Sequence, residues 1–215
     1  MPSDLTFYTH PISRGRTVRW MLEECGATYD TVLLDYGTSM KADAYLAINP
    51  MGKVPALRHG STVVTEAAAI CTYLADRFPE RQLAPPPASE ARGTYYRWLF
   101  FAAGPMEAAF MGKSLGLLAP PDKASQVGYG SYAQMMDTLE SAVSQASPYL
   151  CGDRFTTADL YLGSALAFGL RSGGIEPRPA FDRYLQPLLQ REACLRAAAI
   201  DEGLMRTQAS PLQRP

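Results

Sequence analysis

The chain has 215 residues, with 20 lysines and arginines against 21 aspartates and glutamates and a formal net charge of −1. That balance gives no electrostatic pull toward nucleic acid or an anionic membrane surface. Hydrophobic residues make up 47% of the chain, enough for a sizeable core, yet no apolar run reaches the roughly 20 residues of a bilayer span.

The opening Met1-Pro2-Ser3-Asp4-Leu5 has no basic stretch followed by an apolar one, so no secretory leader is expected and a cytoplasmic protein is. Leu5 to Thr9 reads as a short strand closed by His10-Pro11. From Ser13 the pattern turns helical: Val18, Met21, Leu22 and Cys25 recur at helical spacing, and Gly26 supplies the stop. Tyr29 to Leu34 reads as a second strand, and Tyr36 to Ala47 as irregular with one helical piece. Val54 to Leu57 and Ser61 to Val64 flank Arg58-His59-Gly60 as a hairpin, and Glu66 to Phe78 forms a helix. The first 80 residues therefore predict β-α-β-α-β-β-α, a small mixed sheet with helices on both sides.

Three successive prolines, Pro85, Pro86 and Pro87, cannot lie inside a helix, so residues 81–88 are expected to be a stiff linker. Beyond them strand signals almost vanish. Ser89 to Met111 reads as a long aromatic-rich helix with a break at Gly104-Pro105. Gln126 to Ala146 and Thr156 to Phe168 read as two more helices, and Phe181 to Ala199 as one or two. Thr156 and Asp159 have the spacing of a capping box, with Phe155 as its apolar staple. The expected division is 1–80, a linker 81–88, and an all-helical domain over 89–215.

The most informative stretch is Asn49-Pro50-Met51-Gly52-Lys53-Val54-Pro55-Ala56-Leu57, followed by Thr65-Glu66-Ala67. Pro55 forces Val54 into an extended conformation and opens the cis form of the bond between them. A rigid turn that exposes backbone amides beside a helix N-terminus suits a small anionic ligand. The four cysteines, Cys25, Cys71, Cys151 and Cys194, lie far apart with no C-x-x-C pair, and there are two histidines. No metal site or disulfide framework is expected; the cysteines read as buried small apolar side chains.

These segments resemble the cytosolic glutathione transferase family. The resemblance rests on Asn49-Pro50-x-Gly52-Lys53-Val54-Pro55-Ala56-Leu57, on Thr65-Glu66-Ala67-x-x-Ile70-x-x-Tyr73-Leu74, and on Phe155-Thr156-x-Ala158-Asp159. Arg16 to Glu24 also looks like the first helix of many bacterial members. The resemblance implies an α+β fold, a thioredoxin-like domain followed by an all-helical one, with glutathione as co-substrate. It implies a cis Val54–Pro55 bond, Val54 pairing with the tripeptide backbone, and Glu66 with the amides at Ala67 holding the γ-glutamyl end. Lys53 either pairs with the glycyl carboxylate or is a solvated surface lysine. Many members carry serine where this chain has Ala67, which predicts weaker glutathione binding.

Activating the thiol requires a hydrogen-bond donor or positive charge between the first strand and the first helix. Ser13 is the first candidate, although it could simply cap the helix; Tyr8 and Thr9 are the alternatives, and Arg14 or Arg16 could add charge. No cysteine falls in this loop, which disfavours thiol transfer through a mixed disulfide. A second substrate, a small hydrophobic electrophile, is expected against Tyr8, Ile12, Trp98, Phe101 and Met111. Aromatic residues at helical spacing are also what a core would use. The expected assembly is a homodimer. The alternatives are a non-catalytic binding module of the same fold and a glutathione-dependent isomerase or dehalogenase.

Overall fold

The computed structural model describes residues 4–209. Residues 1–3, over which the leader was judged, and 210–215, the end of the expected helical domain, lie outside the described residues. The chain forms two compact units: one takes in residues through Arg81 and again from Arg191, and the other is Gln82–Gln190.

The first unit runs β1 (Leu5–Thr9), α1 (Gly15–Cys25), β2 (Asp30–Leu33), α2 (Asp43–Leu46), β3 (Ala56–His59), β4 (Thr62–Thr65) and α3 (Ala67–Arg77). The sheet order is β2-β1-β3-β4, with β1 and β2 parallel and the other two pairs antiparallel. Val18, Met21, Leu22 and Cys25 are all buried on α1, as their spacing requires. Phe7 and Tyr8 alternate across β1 yet both are buried. Phe7 faces the Arg19 guanidinium at 5.2 Å, while Tyr8 packs with Leu34, Met40, Tyr45 and Ala56. This strand therefore has no solvent face.

The expected boundary at 89–215 differs from the packing at its C-terminal end. A last helix, α9 (Glu192–Ala209), groups with the first unit and lies along α1. The cause is a buried charge. Arg19 and Asp201 form an ion pair at 2.8 Å with each side chain only 1% exposed, and the arginine would otherwise be an unpaired buried cation. Arg191 grips the Glu24 carboxylate through two nitrogens at 2.6 and 2.8 Å, and Arg196 reaches Glu23 at 3.3 Å.

The second unit holds α4 (Glu90–Phe101), α5 (Glu107–Ser114), α6 (Tyr132–Ser144), α7 (Thr157–Arg171) and α8 (Pro179–Leu189). Between α4 and α5 the backbone opens into a wide π turn over Ala102–Met106. Pro105 lacks an N–H and its ring crowds the preceding turn, which is the expected break. Helix α6 starts at Tyr132, later than Gln126, because Ser131 and Gln134 form a capping box that sets its first turn. The proline segment belongs to this unit: the Leu83 carbonyl accepts from Thr157 N at 2.7 Å, and the Pro85 carbonyl from Arg92 at 2.8 Å.

The capping box at Thr156 and Asp159 is present and wider than expected. Asp159 is fully buried and accepts from Thr156 N (2.9 Å), Thr156 Oγ1 (3.0 Å), Leu150 N (2.8 Å) and the Tyr184 hydroxyl (2.9 Å). Burial outweighs these donors and holds its carboxyl above the usual carboxylate range. Asp159→Ala would leave four donors without an acceptor. Its expected cost is about 3 kcal/mol of unfolding free energy in a urea titration, with Asp159→Asn losing less.

Candidate functional site

Four separate segments leave the sheet at one end. Thr9, the last residue of β1, pairs with Leu33 at the end of β2. Tyr8 lies opposite Ala56, the first residue of β3, and Ala56 lies opposite Thr65, the last residue of β4. The register therefore gathers the loop after β1, the turn after β2, Val54–Pro55 and Glu66–Ala67 along one rim. Strand pairing alone brings the two motifs of the sequence together.

The turn ahead of β3 is held from behind. The Lys53 carbonyl accepts from the Tyr45 hydroxyl at 2.6 Å and from Asn49 Nδ2 at 2.8 Å. Burial pushes the Tyr45 phenol up to about 12, so it remains a donor at neutral pH. Lys41 Nζ bonds the Met51 and Gly52 carbonyls at 3.2 and 2.9 Å. Gly52 has φ +56, and a side chain there would meet Lys41 Nζ and the Met40 carbonyl at 2.8 Å each. The Val54–Pro55 bond is cis. Among the described residues no hydrogen bond engages the Val54 N–H or C=O. Lys53 points its side chain outward and is exposed.

Glu66 stands just before α3 with φ +66 and ψ 117, a conformation that costs a residue with a Cβ about 1–3 kcal/mol. Its carbonyl accepts from Ile70 N at 2.9 Å, so the helix is already engaged while the carboxylate stays exposed. No side chain caps α3. The first-turn amides, beginning at Ala67, therefore have no acceptor within their own helix and carry the positive end of its dipole. A carboxylate placed here would gain those donors, and an amino group would gain Glu66.

The loop after β1 is tight. The Ser13 hydroxyl donates to the His10 carbonyl at 2.7 Å and accepts from Gly15 N at 2.9 Å. Thr9 is fully buried, and a Cβ on Gly15 would fall 1.9 Å from its Oγ1 and 2.9 Å from Ser13 Oγ. Tyr8 is 8% exposed and enclosed by the core on its face of the sheet. Of the three hydroxyls, Ser13 alone combines partial exposure with a place at the helix start. Ile12, beside it, is 60% exposed. Arg16 reaches the Pro11 carbonyl at 3.4 Å. Cys25 and Cys71 are buried as expected, but Cys151 and Cys194 are only half-buried; desolvation pushes Cys25 up to about 12 and Cys151 up to about 11, away from the thiolate.

In the second unit Trp98 is buried and packs edge-on against Phe101 with centroids 5.5 Å apart, while Met111 on α5 is 39% exposed. Trp98 also lines a cavity of about 550 Å³ between α4 and α6, with Thr94, Arg97, Ser141 and Gln145. Phe101 and Met111 do not line it. Among the described residues no group of three histidine, cysteine or acidic side chains could hold a metal, and no helix is long and apolar enough to cross a membrane. Sequence reasoning missed Lys41, Tyr45 and Asn49 as supports of the turn, and the His10 carbonyl as the acceptor of the Ser13 hydroxyl. Asn49 lay inside the quoted motif, but nothing in the spacing shows that its amide reaches Lys53.

A family profile described as glutathione S-transferase, N-terminal domain, matches residues 13–77. The chain is 34% identical over 169 residues to glutathione S-transferase GstA of Escherichia coli O157:H7, covering 74% of this chain and 82% of that one. A glutathione transferase crystal structure from Methylococcus capsulatus superposes with TM-score 0.77 at 29% identity, over 93% of this chain and 99% of the other. A glutathione transferase homolog from Sulfitobacter, solved with bound glutathione, superposes with TM-score 0.71 at 28% identity, over 93% and 98%.

Close approach at Gly15 gives the rim a sharp test. Gly15→Ala forces the first turn of α1 away from Thr9, so stability is expected to fall by about 1–3 kcal/mol in chemical denaturation. Retention on immobilised glutathione should weaken in the folded variant.

Proposed function

The chain belongs to the glutathione S-transferase family, and we propose that it binds glutathione along this rim and activates the thiol through Ser13. As a glutathione S-transferase it joins the glutathione sulfur to an electrophilic carbon. The thiol proton is lost to solvent, the thiolate lone pair forms the carbon–sulfur bond, and the carbon's leaving group departs with its bonding electrons or a double bond takes up the charge.

The observation that carries this reading is the unpaired Val54 backbone beside Pro55, at the end of the ladder where Ala56 pairs with Thr65, the residue before Glu66. An extended tripeptide pairs with such a backbone as an added strand would, giving its cysteinyl N–H and C=O to Val54. Glu66 takes the γ-glutamyl amino group and the α3 amides from Ala67 onward take its α-carboxylate. Lys53, exposed on the same turn, is placed in sequence to meet the glycyl carboxylate. This leaves the cysteinyl sulfur near the loop after β1, where Ser13 donates and the dipole of α1 favours the anion.

Ile12, 60% exposed beside Ser13, is the proposed contact on this unit for a small hydrophobic electrophile, a role its exposure supports more than the buried ring of Tyr8 does. A homodimer in the cytoplasm completes the reading, in keeping with the default for symmetric assemblies.

Ser13→Ala is expected to lower turnover of a generic aryl halide by about 10- to 100-fold, since a hydrogen bond to a charged group contributes about 1.5–3 kcal/mol. Glutathione binding, read by calorimetry, should change little; undiminished turnover would shift the donor role to Tyr8 or Thr9. Ala67→Ser restores a hydroxyl at the γ-glutamyl carboxylate. It should tighten glutathione binding by about fivefold, the equivalent of one added hydrogen bond.

A further inference from the structure

The connection that carries Ser13 from β1 to α1 is a β-turn. The His10 carbonyl accepts from Ser13 N at 2.9 Å, closing four residues with Pro11 in the second place, where its fixed φ suits the turn. The same carbonyl accepts from the Ser13 hydroxyl at 2.7 Å, and Ser13 Oγ in turn accepts from Gly15 N at 2.9 Å. The position of Oγ is therefore set by the turn on one side and by the start of α1 on the other.

A second bond inside the turn comes from a side chain. Ile12 N donates to His10 Nδ1 at 3.3 Å. In the first place of a turn, aspartate and asparagine commonly hold the amide two residues on with a side-chain oxygen. Here a histidine nitrogen does the same. A backbone N–H can only donate, so Nδ1 is the acceptor and the neutral ring carries its proton on Nε2. The ring is also braced from outside the turn. It packs on the Tyr36 ring, in the segment after β2, with centroids 4.8 Å apart and planes inclined by 49°.

We propose that the His10 side chain is a positioning residue for thiol activation, its Nδ1 holding closed the turn that sets Ser13 Oγ against the incoming sulfur. The inference rests on Ser13 being the donor to that sulfur. Without the ring acceptor, every bond that closes the turn converges on the His10 carbonyl, and the Ser13 hydroxyl must leave that carbonyl to meet a thiolate. The ring bond keeps the turn closed while the hydroxyl rotates. Such support matters because a donor works on a reacting atom only when held within about 0.5 Å of its productive place. The bond also falls on Ile12, which is 60% exposed and is the proposed contact for the electrophile. One imidazole thereby steadies the contacts of both reactants.

The ring nitrogens give a direct check. In nitrogen NMR the neutral His10 ring should carry its proton on Nε2; a proton on Nδ1 overturns the inference. His10→Phe keeps a ring against Tyr36 and removes the acceptor. The pKa of enzyme-bound glutathione, followed by thiolate ultraviolet absorbance, is expected to rise by about half a unit, and kcat below that pKa to fall about threefold. KM for glutathione should hold, because Val54 and Glu66 keep their places. His10→Asn, whose side-chain oxygen can take the Ile12 amide, should restore the wild-type thiol pKa. In a Ser13→Ala background His10→Phe should have no further effect on that pKa, and circular dichroism of each variant reports the fold. An unchanged thiol pKa in His10→Phe overturns the inference while leaving Ser13 in place. An equal shift in His10→Asn also overturns it, since the ring and not its acceptor would then be the cause. A full shift without Ser13 does the same, because His10 would act by another route. If Ser13→Ala alone leaves the bound thiol pKa unaltered, the donor reading falls and the inference falls with it.

Discussion

The site is organised by a hydrogen-bonding deficit at Pro55. Proline has no N–H, so the ladder between β3 and β4 begins at Ala56 and cannot extend back past it. On the other side of Val54, the Lys53 carbonyl is already committed to Tyr45 and Asn49. Val54 is caught between a residue with no N–H and one whose carbonyl is already committed, and its own N–H and C=O are left at the rim of the sheet. Buried or half-buried backbone groups normally find partners, and here the partner must come from outside the chain. In the proposed reading a short extended peptide, glutathione, supplies what is missing.

The remaining parts of the rim are fixed relative to this point by the sheet and by α1. Ala56 pairs with both Tyr8 and Thr65, so three strands fix the positions of Val54, Glu66 and the loop carrying Ser13. The first turn of α1 comes so close to β1 that only glycine fits at position 15. Farther along α1, Arg19 is buried over Phe7 and Tyr29 and neutralised by Asp201 from α9. A helix drawn from the end of the chain thereby becomes part of the sheet-containing unit. Asp201 itself is held above the usual carboxylate range by burial, with Arg19 acting against that shift.

Much of this architecture is legible in the sequence because it is local. β1 runs from Leu5 to Thr9 as a short strand closed by His10-Pro11 predicts, and the helical spacing of Val18, Met21, Leu22 and Cys25 marks the buried face of α1. The Thr156–Asp159 capping box depends on a three-residue spacing and is readable for the same reason. What escaped depends on contacts distant in sequence. Nothing near Arg19 announces a carboxylate 182 positions away, so the assignment of α9 to the helical domain could not be avoided. Apolar spacing alone extends α6 back to Gln126, whereas the Ser131–Gln134 capping box sets its start at Tyr132. Tyr36 stands in a segment that reads as irregular, where periodicity carries no information and its ring contact with His10 cannot be foreseen.

The central claim is that the free Val54 backbone is a docking edge for glutathione. A crystal structure of the glutathione complex tests it most directly. The account predicts the cysteinyl N–H and C=O of the tripeptide paired with Val54 at about 2.7–3.2 Å, with the γ-glutamyl group at Glu66 and the amides of α3. Glutathione seated elsewhere on the unit, with the Val54 N–H and C=O bonded only to water, would contradict it.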